Sequence, residues 1–319
     1  MSSTSTDRVV VLAGGLSAER DVSERSGRRV ADALRRTGAE VEVRDVDAAL
    51  LGALATERPA CVVPLLHGAP GEDGAIRDVL TALRLPFVGS GAAACRRAFD
   101  KPVASSLVAG AGVSVPESVA LPHGTFRELG AAAVLDAVVD RLGFPLMVKP
   151  TRGGSSLGAT VVRDAGSLPA AMVAAFAYAE TALIERFVPG TEVAVSVLDT
   201  GDGPRALPVV EIVPDGGFYD YGARYTAGAT EFFVPARLHS EVLARCAEAA
   251  VTVHRTLGLR DWSRSDLIVD AAGTPWFLEV NVAPGMTETS TYPQAVVAAG
   301  LDLGVVTADL VRSALARGA

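Results

Sequence analysis

Lys149 opens the stretch KPTRGGSSLG, which packs one lysine, three glycines and two serines into ten positions ending at Gly158. Two chemistries call for such a loop. Glycines let backbone N–H groups approach phosphate oxygens, with a lysine as a point charge beside them. A serine nucleophile instead sits on a sharp turn, and Gly154-Ser155-Ser156-Leu157-Gly158 fits G-x-S-x-G around Ser156. That elbow requires a helix after the turn, with an acid and a histidine downstream. His239 and His254 are downstream, so the hydrolase reading has partners to draw on. The residues after Gly158 are ATVVRD, however, β-branched and strand-like, which makes the loop a hairpin flap. A Walker A loop is excluded, because the lysine precedes the glycines and G-K-[ST] is absent.

A second set of polar residues lies near the C-terminus, in SDLIVD and PWFLEVN. With Ala271 to Thr274 as a four-residue turn, Asp270 faces Pro275, Asp266 faces Glu279 and Arg264 faces Asn281. Side chains alternate along strands, so Arg264, Asp266, Glu279 and Asn281 share one face. Leu267, Val269, Leu278 and Val280 then point into a core. Facing carboxylates repel unless a cation lies between them, and carboxylate and amide oxygens suit Mg²⁺ held jointly with substrate phosphates. The alternative is an Arg-Asp-Glu ion-pair ladder on an exposed sheet face.

Only two of the 29 basic residues are lysine, Lys101 and Lys149. A chain that uses arginine wherever a generic cation suffices keeps lysine where a guanidinium fork does not fit, as at a phosphate point contact. Both precede proline, which predicts extended backbone at each. The net charge of −8 argues against nucleic-acid binding, and no apolar run is long enough to span a membrane. Cys61, Cys95 and Cys246 are scattered, as expected of reduced, buried thiols in a cytoplasmic protein. The four histidines show no metal-ligand spacing.

These groups need elements to hold them. Residues 1–90 alternate strand-like and helix-like segments, predicting a doubly wound parallel sheet with sites at strand ends such as Gly14-Gly15 and His67-Gly68. Asp21 to Glu24 resembles a capping box for the following helix, which Gly38 terminates. Gly89-Ser90-Gly91-Ala92-Ala93-Ala94 matches G-x-G-x-x-A, but no acidic residue follows about twenty positions on, so it reads as the turn closing this unit. Residues 91–188 form a second unit carrying the flap, and 189–319 a strand-rich third with a Gly/Tyr-rich loop from Gly216 to Gly228. The fold class is α/β, with α+β character in the second and third units.

The runs GGLSAERDVS, HGAPGEDGAIR, FVGSG, FDK, VKPTRGGSSLG, LIERFVPGTE, FYDYGARY, RSDLIVD and LEVNVAPGMTETS occur in the order and spacing of the D-alanine–D-alanine ligases. The chain resembles that family of the ATP-grasp superfamily over nearly its full length. The resemblance implies three ATP-grasp domains with these boundaries and ATP-dependent joining of two D-alanines for peptidoglycan precursors. It implies Lys101, Lys149, Ser156 and Arg224 at ATP phosphates, Glu185, Arg186 and Phe187 at adenine, and Glu192 at ribose. Asp266, Glu279 and Asn281 would bind two Mg²⁺, with Mn²⁺ able to substitute. Glu19 would hold the first D-alanine's ammonium, tied to Ser155 and Tyr225 as a lid, with His67 nearby. Arg264 and the Gly285 N–H would form an oxyanion hole. Ser290 would bind the second substrate's carboxylate, beside Thr291. A cytoplasmic homodimer is expected. Three positions depart from the family pattern: Arg224 stands where lysine is common, Thr291 where leucine is usual, and Gly153 where glutamate is common. Thr291 leaves open a ligase of the same build joining other amino acids.

Overall fold

A computed structural model describes residues 8–69, 71–216 and 228–318. The N-terminal unit is a parallel sheet of β1 (Val9–Leu12), β2 (Val41–Arg44) and β3 (Cys61–Pro64), in the order β2-β1-β3. The apolar run LPFVGS, which ends the alternating segments of residues 1–90, joins this sheet by one parallel bridge only, Val62 to Phe87. Helices α1 (Arg20–Arg36), α2 (Leu50–Glu57) and α3 (Ala75–Ala82) accompany this sheet. On α1, Gly27 allows the closest approach to the sheet: a Cβ there would lie 2.4 Å from that of Ala13. The capping-box expectation is corrected, because α1 begins at Arg20 and Asp21 lies inside its first turn. Ser23, the box's third residue, is buried and ties loops instead, accepting from Gly14 N and donating to Leu65 O.

Next come α4 (Ala92–Phe99) and α5 (Lys101–Gly110). Lys101 is therefore helical, contrary to the expectation from its proline. A proline is compatible with a helix's first turn, where its missing N–H is not needed. The extended residue is Asp100, whose side chain caps α5 by accepting from Val103 N. Lys149 does have the expected extended backbone, on β5 (Leu146–Pro150).

That strand belongs to an antiparallel sheet with β4 (Ser118–Pro122), β6 (Thr160–Val162) and β7 (Thr181–Arg186), ordered β4-β7-β5-β6. β5 and β6 pair antiparallel, so the glycine stretch joins two strands as a flap. Helices α6 (His123–Leu129), α7 (Ala131–Leu142) and α8 (Leu168–Phe176) contribute to this sheet's own core, which includes Leu146, Val148, Val162 and Ile184.

The largest sheet runs β11-β10-β8-β12-β13, with β9 paired to β8. Its strands are β8 (Thr191–Leu198), β9 (Arg205–Ala206), β10 (Val210–Pro214), β11 (Thr230–Phe233), β12 (Trp262–Val269) and β13 (Pro275–Asn281). On one face lie α4, α5 and α9 (Ser240–Thr256), in a core with Val193, Val195 and Phe277. The other core is continuous with the parallel sheet, joining Val9, Val11 and Leu34 to Trp262, α10 (Thr291–Ala298) and α11 (Leu303–Arg317).

The β12–β13 register holds Arg264 opposite Asn281 and Asp266 opposite Glu279, then shifts so that Leu267 faces Phe277 and Val269 faces Pro275. The four-residue turn is thus corrected, since Asp270 does not face Pro275. A bulge at Leu278 offsets the longer turn and restores the polar pairs. It also exchanges two apolar residues: Phe277 is fully buried, whereas Leu278 lines the pocket between the sheets described below. Among the described residues, no single helix is long and apolar enough to cross a membrane, and all three cysteines are free and buried.

Candidate active site

A pocket of about 410 Å³ opens between the four-stranded and large sheets. Lys101 and Lys149 line it together with Ser156 of the flap and Glu185 and Arg186 of β7. Phe187, Glu192 on β8, and Asp266 and Glu279 on β12 and β13 complete the predicted members of its wall. A neighbouring pocket of about 80 Å³ is lined by Glu19, His67, Ser155, Arg264, Asn281, Gly285, Ser290 and Thr291. Asp266 and Glu279 line both pockets, so the carboxylate pair stands at their common wall. Tyr225 and Arg224 lie outside the described residues.

Both lysines are buried and ion-paired. Lys101 Nζ is 3.1 Å from Glu279 Oε2 and donates to Gly153 O at 2.7 Å. Lys149 Nζ is 2.7 Å from Glu185 Oε2. Arg264 donates through Nε and Nη2 to the two oxygens of Asp266, at 2.7 and 2.8 Å. Each carboxylate of the β12–β13 pair therefore carries a bidentate or ammonium partner, which offsets the repulsion between them. Asn281 Oδ1 accepts from Ala283 N at 2.7 Å, turning the chain after β13. Among the described residues no three His, Cys, Asp or Glu side chains form a metal cluster. Two carboxylates and an amide instead match the partial oxygen set that Mg²⁺ takes when phosphates complete its shell.

The flap reaches across the cleft. Ser155 and Ser156 adopt left-handed backbone (φ 53° and 57°), rare for residues with a Cβ. This brings Ser155 Oγ onto Glu19 Oε1 as donor, linking the flap to the N-terminal unit. Among the described residues the hydrolase geometry is absent. The flap is followed by a strand, and His254 is buried on α9, where its Nδ1 lies 2.8 Å from Ser263 Oγ. Burial lowers its pKa to about 4.

The smaller pocket is closed from the parallel-sheet side. His67 is buried at the end of β3, 3.4 Å through Nε2 from Ser26 Oγ, and burial lowers its pKa, favouring the neutral ring. Ser26 Oγ also accepts from Met286 N at 3.0 Å, so α1 positions the loop carrying Gly285. A Cβ on Gly285 would lie 2.7 Å from Ser290 Oγ. Ser290 stands at the N-cap position of α10, and its Oγ accepts from Thr287 N at 3.1 Å and lies 2.9 Å from Thr287 Oγ1. Of the two expected strand-end sites, only His67-Gly68 borders the pocket. Gly14 and Gly15 are occupied internally, their N–H groups donating to Ser23 and Asp45 at 2.8 Å each.

Sequence reasoning missed two features. Glu72 lines the smaller pocket, accepts from Gly68 N at 2.7 Å, and has its pKa raised to about 8, first by burial and then by the charge of Glu19. Glu211 lines the larger pocket and accepts three bonds from Arg237, at 2.7 to 3.1 Å. Each acid was visible within a motif or strand, but only the fold buries it.

Comparison with known proteins gives consistent results. The family model described as "D-ala D-ala ligase C-terminus" matches residues 107–312. A D-alanine–D-alanine ligase of Anaeromyxobacter sp. (strain K) is 41% identical over 303 residues, covering 95% of this chain and 94% of that protein. One from Nitrosospira multiformis is 40% identical, covering 92% of each. Among solved structures, the VanG D-Ala:D-Ser ligase from Enterococcus faecalis superposes with a TM-score of 0.83 at 28% identity, covering 96% of this chain and 99% of that one. The Bacillus anthracis D-alanine–D-alanine ligase complexed with ATP gives 0.80 at 26%, covering 97% and 98%. With relatives of that identity aligned almost end to end, the fold is ATP-grasp and the chain belongs to the D-alanine–D-alanine ligase family.

Proposed function

We propose that the protein joins two D-alanines into D-alanyl-D-alanine, converting ATP to ADP and phosphate, and thereby supplies a peptidoglycan precursor. The observation that carries this reading is the common wall: Asp266 and Glu279 border both the nucleotide-sized pocket and the small polar one. A phosphate-transfer site and an amino-acid site that share their carboxylates can pass a phosphoryl group directly between them.

A carboxylate is a poor electrophile, so one of its oxygens first attacks the γ-phosphorus. The bond to the bridging oxygen breaks and ADP leaves with its electron pair. Lys101, Lys149 and the flap around Ser156 hold the phosphates, while Glu185, Arg186, Phe187 and Glu192 hold adenosine; Arg224 belongs with the phosphate contacts. Mg²⁺ bound on Asp266, Glu279 and Asn281 would supply neutralisation of phosphate charge, with two ions expected. Glu19 takes the ammonium of the first D-alanine, Ser155 and Tyr225 fasten the flap and lid beside it, and His67 packs nearby. The second D-alanine, its carboxylate on Ser290, attacks the acyl phosphate through its deprotonated amine. A C–N bond forms, the developing oxyanion is met by Arg264 and the Gly285 N–H, and phosphate leaves with the C–O electrons and takes up the proton the amine loses. Closure of the flap keeps water from the acyl phosphate. The units 1–90, 91–188 and 189–319, a cytoplasmic location and a homodimer belong to the same proposal.

Thr291 favours one second reading. It is buried in the wall of the small pocket, where a leucine is usual in the family, so the second subsite has a different lining. Phosphate release with ATP, Mg²⁺ and a panel of D- and L-amino acids, D-serine included, tests both. The expected result is turnover with D-alanine alone, and its absence overturns the first reading.

A further inference from the structure

Glu19, Ser23, Ser26 and Arg29 follow one another at three- or four-residue spacing, so they run along one face of α1 and its N-cap. Each bonds a segment outside the helix. Glu19 accepts from Ser155 of the flap, and Ser23 joins Gly14 N to Leu65 O at the ends of β1 and β3. Ser26 and Arg29 both take hold of Met286. Met286 N donates to Ser26 Oγ at 3.0 Å, and Arg29 Nη1 donates to Met286 O at 3.2 Å. Both backbone groups of this fully buried residue are therefore held from one helix.

Met286 directly follows Gly285. On the other side of Gly285, the His67 ring is hydrogen-bonded to the Ala283 backbone. Its Nε2 lies 3.4 Å from Ser26 Oγ, and in the neutral ring that burial favours one nitrogen is free to accept from that hydroxyl. The peptide at Gly285 is thus bracketed by bonds at residues 283 and 286. The helix itself has no room to slide. A Cβ on Gly27 would lie 2.4 Å from that of Ala13, and one on Gly304 would lie 2.4 Å from Ala33 O, so α1 is pressed between the end of β1 and α11.

We propose that Ser26 and Arg29 are positioning residues for amide formation: through Met286 they set the Gly285 N–H at a fixed span from Glu19. The inference rests on the ligase reading above. In that reading Glu19 fixes the first substrate by its ammonium, and Gly285 meets the carbonyl oxygen of the same substrate. One helix then gauges the distance between the two contacts. Phosphoryl transfer from ATP makes no use of the Gly285 N–H, whereas attack by the second amine does.

The two steps can be read separately. ATP carrying ¹⁸O at the β,γ-bridge scrambles its label each time the acyl phosphate forms and reverts, while dipeptide formation reports passage through the second step. In Ser26→Ala and in Arg29→Met the ratio of scrambling to dipeptide formation should rise about tenfold or more, since a misplacement of about 1 Å can cost about a hundredfold. KM for ATP should change little. Arg29→Lys, which still donates to the Met286 carbonyl, should restore most of the ratio. An unaltered protein that neither scrambles label nor joins amino acids overturns the ligase reading and this one with it. Scrambling and joining that fall in parallel in the variants, as in a general loss of structure, overturn this one alone. Should Ser26→Ala fail to fold, the two Arg29 variants decide.

Discussion

Lys149 and Glu185 are diagonal neighbours on β5 and β7, 2.7 Å apart and nearly shut off from water. An arginine at 149 would grip Glu185 with its fork and lose the compact, rotatable ammonium that reaches a phosphate oxygen. Lys149→Arg should therefore lower kcat/KM for ATP by at least about tenfold, equivalent to ~1.4 kcal/mol of transition-state stabilisation. Steady-state kinetics with varied ATP checks this, and near-normal turnover would mean that any cation suffices. The position was legible because lysine is so scarce in this chain. Glu72 was not, although it lies within HGAPGEDGAIR. A protonated interior carboxyl and an exposed loop acid have the same letter, and only the meeting of α3, the end of β3 and the large sheet separates them.

The β12–β13 hairpin shows what regular alternation does and does not foretell. Strand period correctly puts Asp266 opposite Glu279, but only because a longer turn and a bulge at Leu278 cancel. Alternation places Leu278 in the core, while the fold places Phe277 there and turns Leu278 to the pocket between the four-stranded and large sheets. Phe277→Ala should thus cost about 3–5 kcal/mol in denaturant unfolding. Leu278→Ala should cost only about 1 kcal/mol and raise KM for ATP. The reverse order of stabilities would mean that the strand runs without a bulge. Bulges leave little trace in sequence, because one extra residue changes a face without changing composition. Lys101 is a similar case: the residue before a proline is normally extended, yet here the extended residue is one step earlier, because Asp100 caps the helix.

At the scale of the molecule, the strand–helix alternation that makes the parallel sheet was readable, but the division of the interior was not. The parallel sheet shares a core with the large sheet through Trp262, α10 and α11, whereas the four-stranded sheet keeps a core of its own. Contacts between residues so distant in sequence have no local signature. The consequence is two cooperative units, with residues 118–186 opening independently of the rest. Hydrogen exchange without nucleotide should show that segment as one group of amides less protected than β1, β8 and β12, with ATP narrowing the gap. Uniform protection across all three sheets would show a single unit instead.

The pairing of both lysines inside one pocket also makes the chain unusual as a chemical target. Apart from the terminal amine, every primary amine of the protein lines the pocket between the four-stranded and large sheets. Beyond the terminal amine, an amine-directed reagent has only these two buried, ion-paired targets. Both lysines precede proline, so an endoprotease that cuts after lysine has no favourable bond in the chain. The mass gained under acylation, with and without ATP, would read pocket occupancy directly from the intact protein.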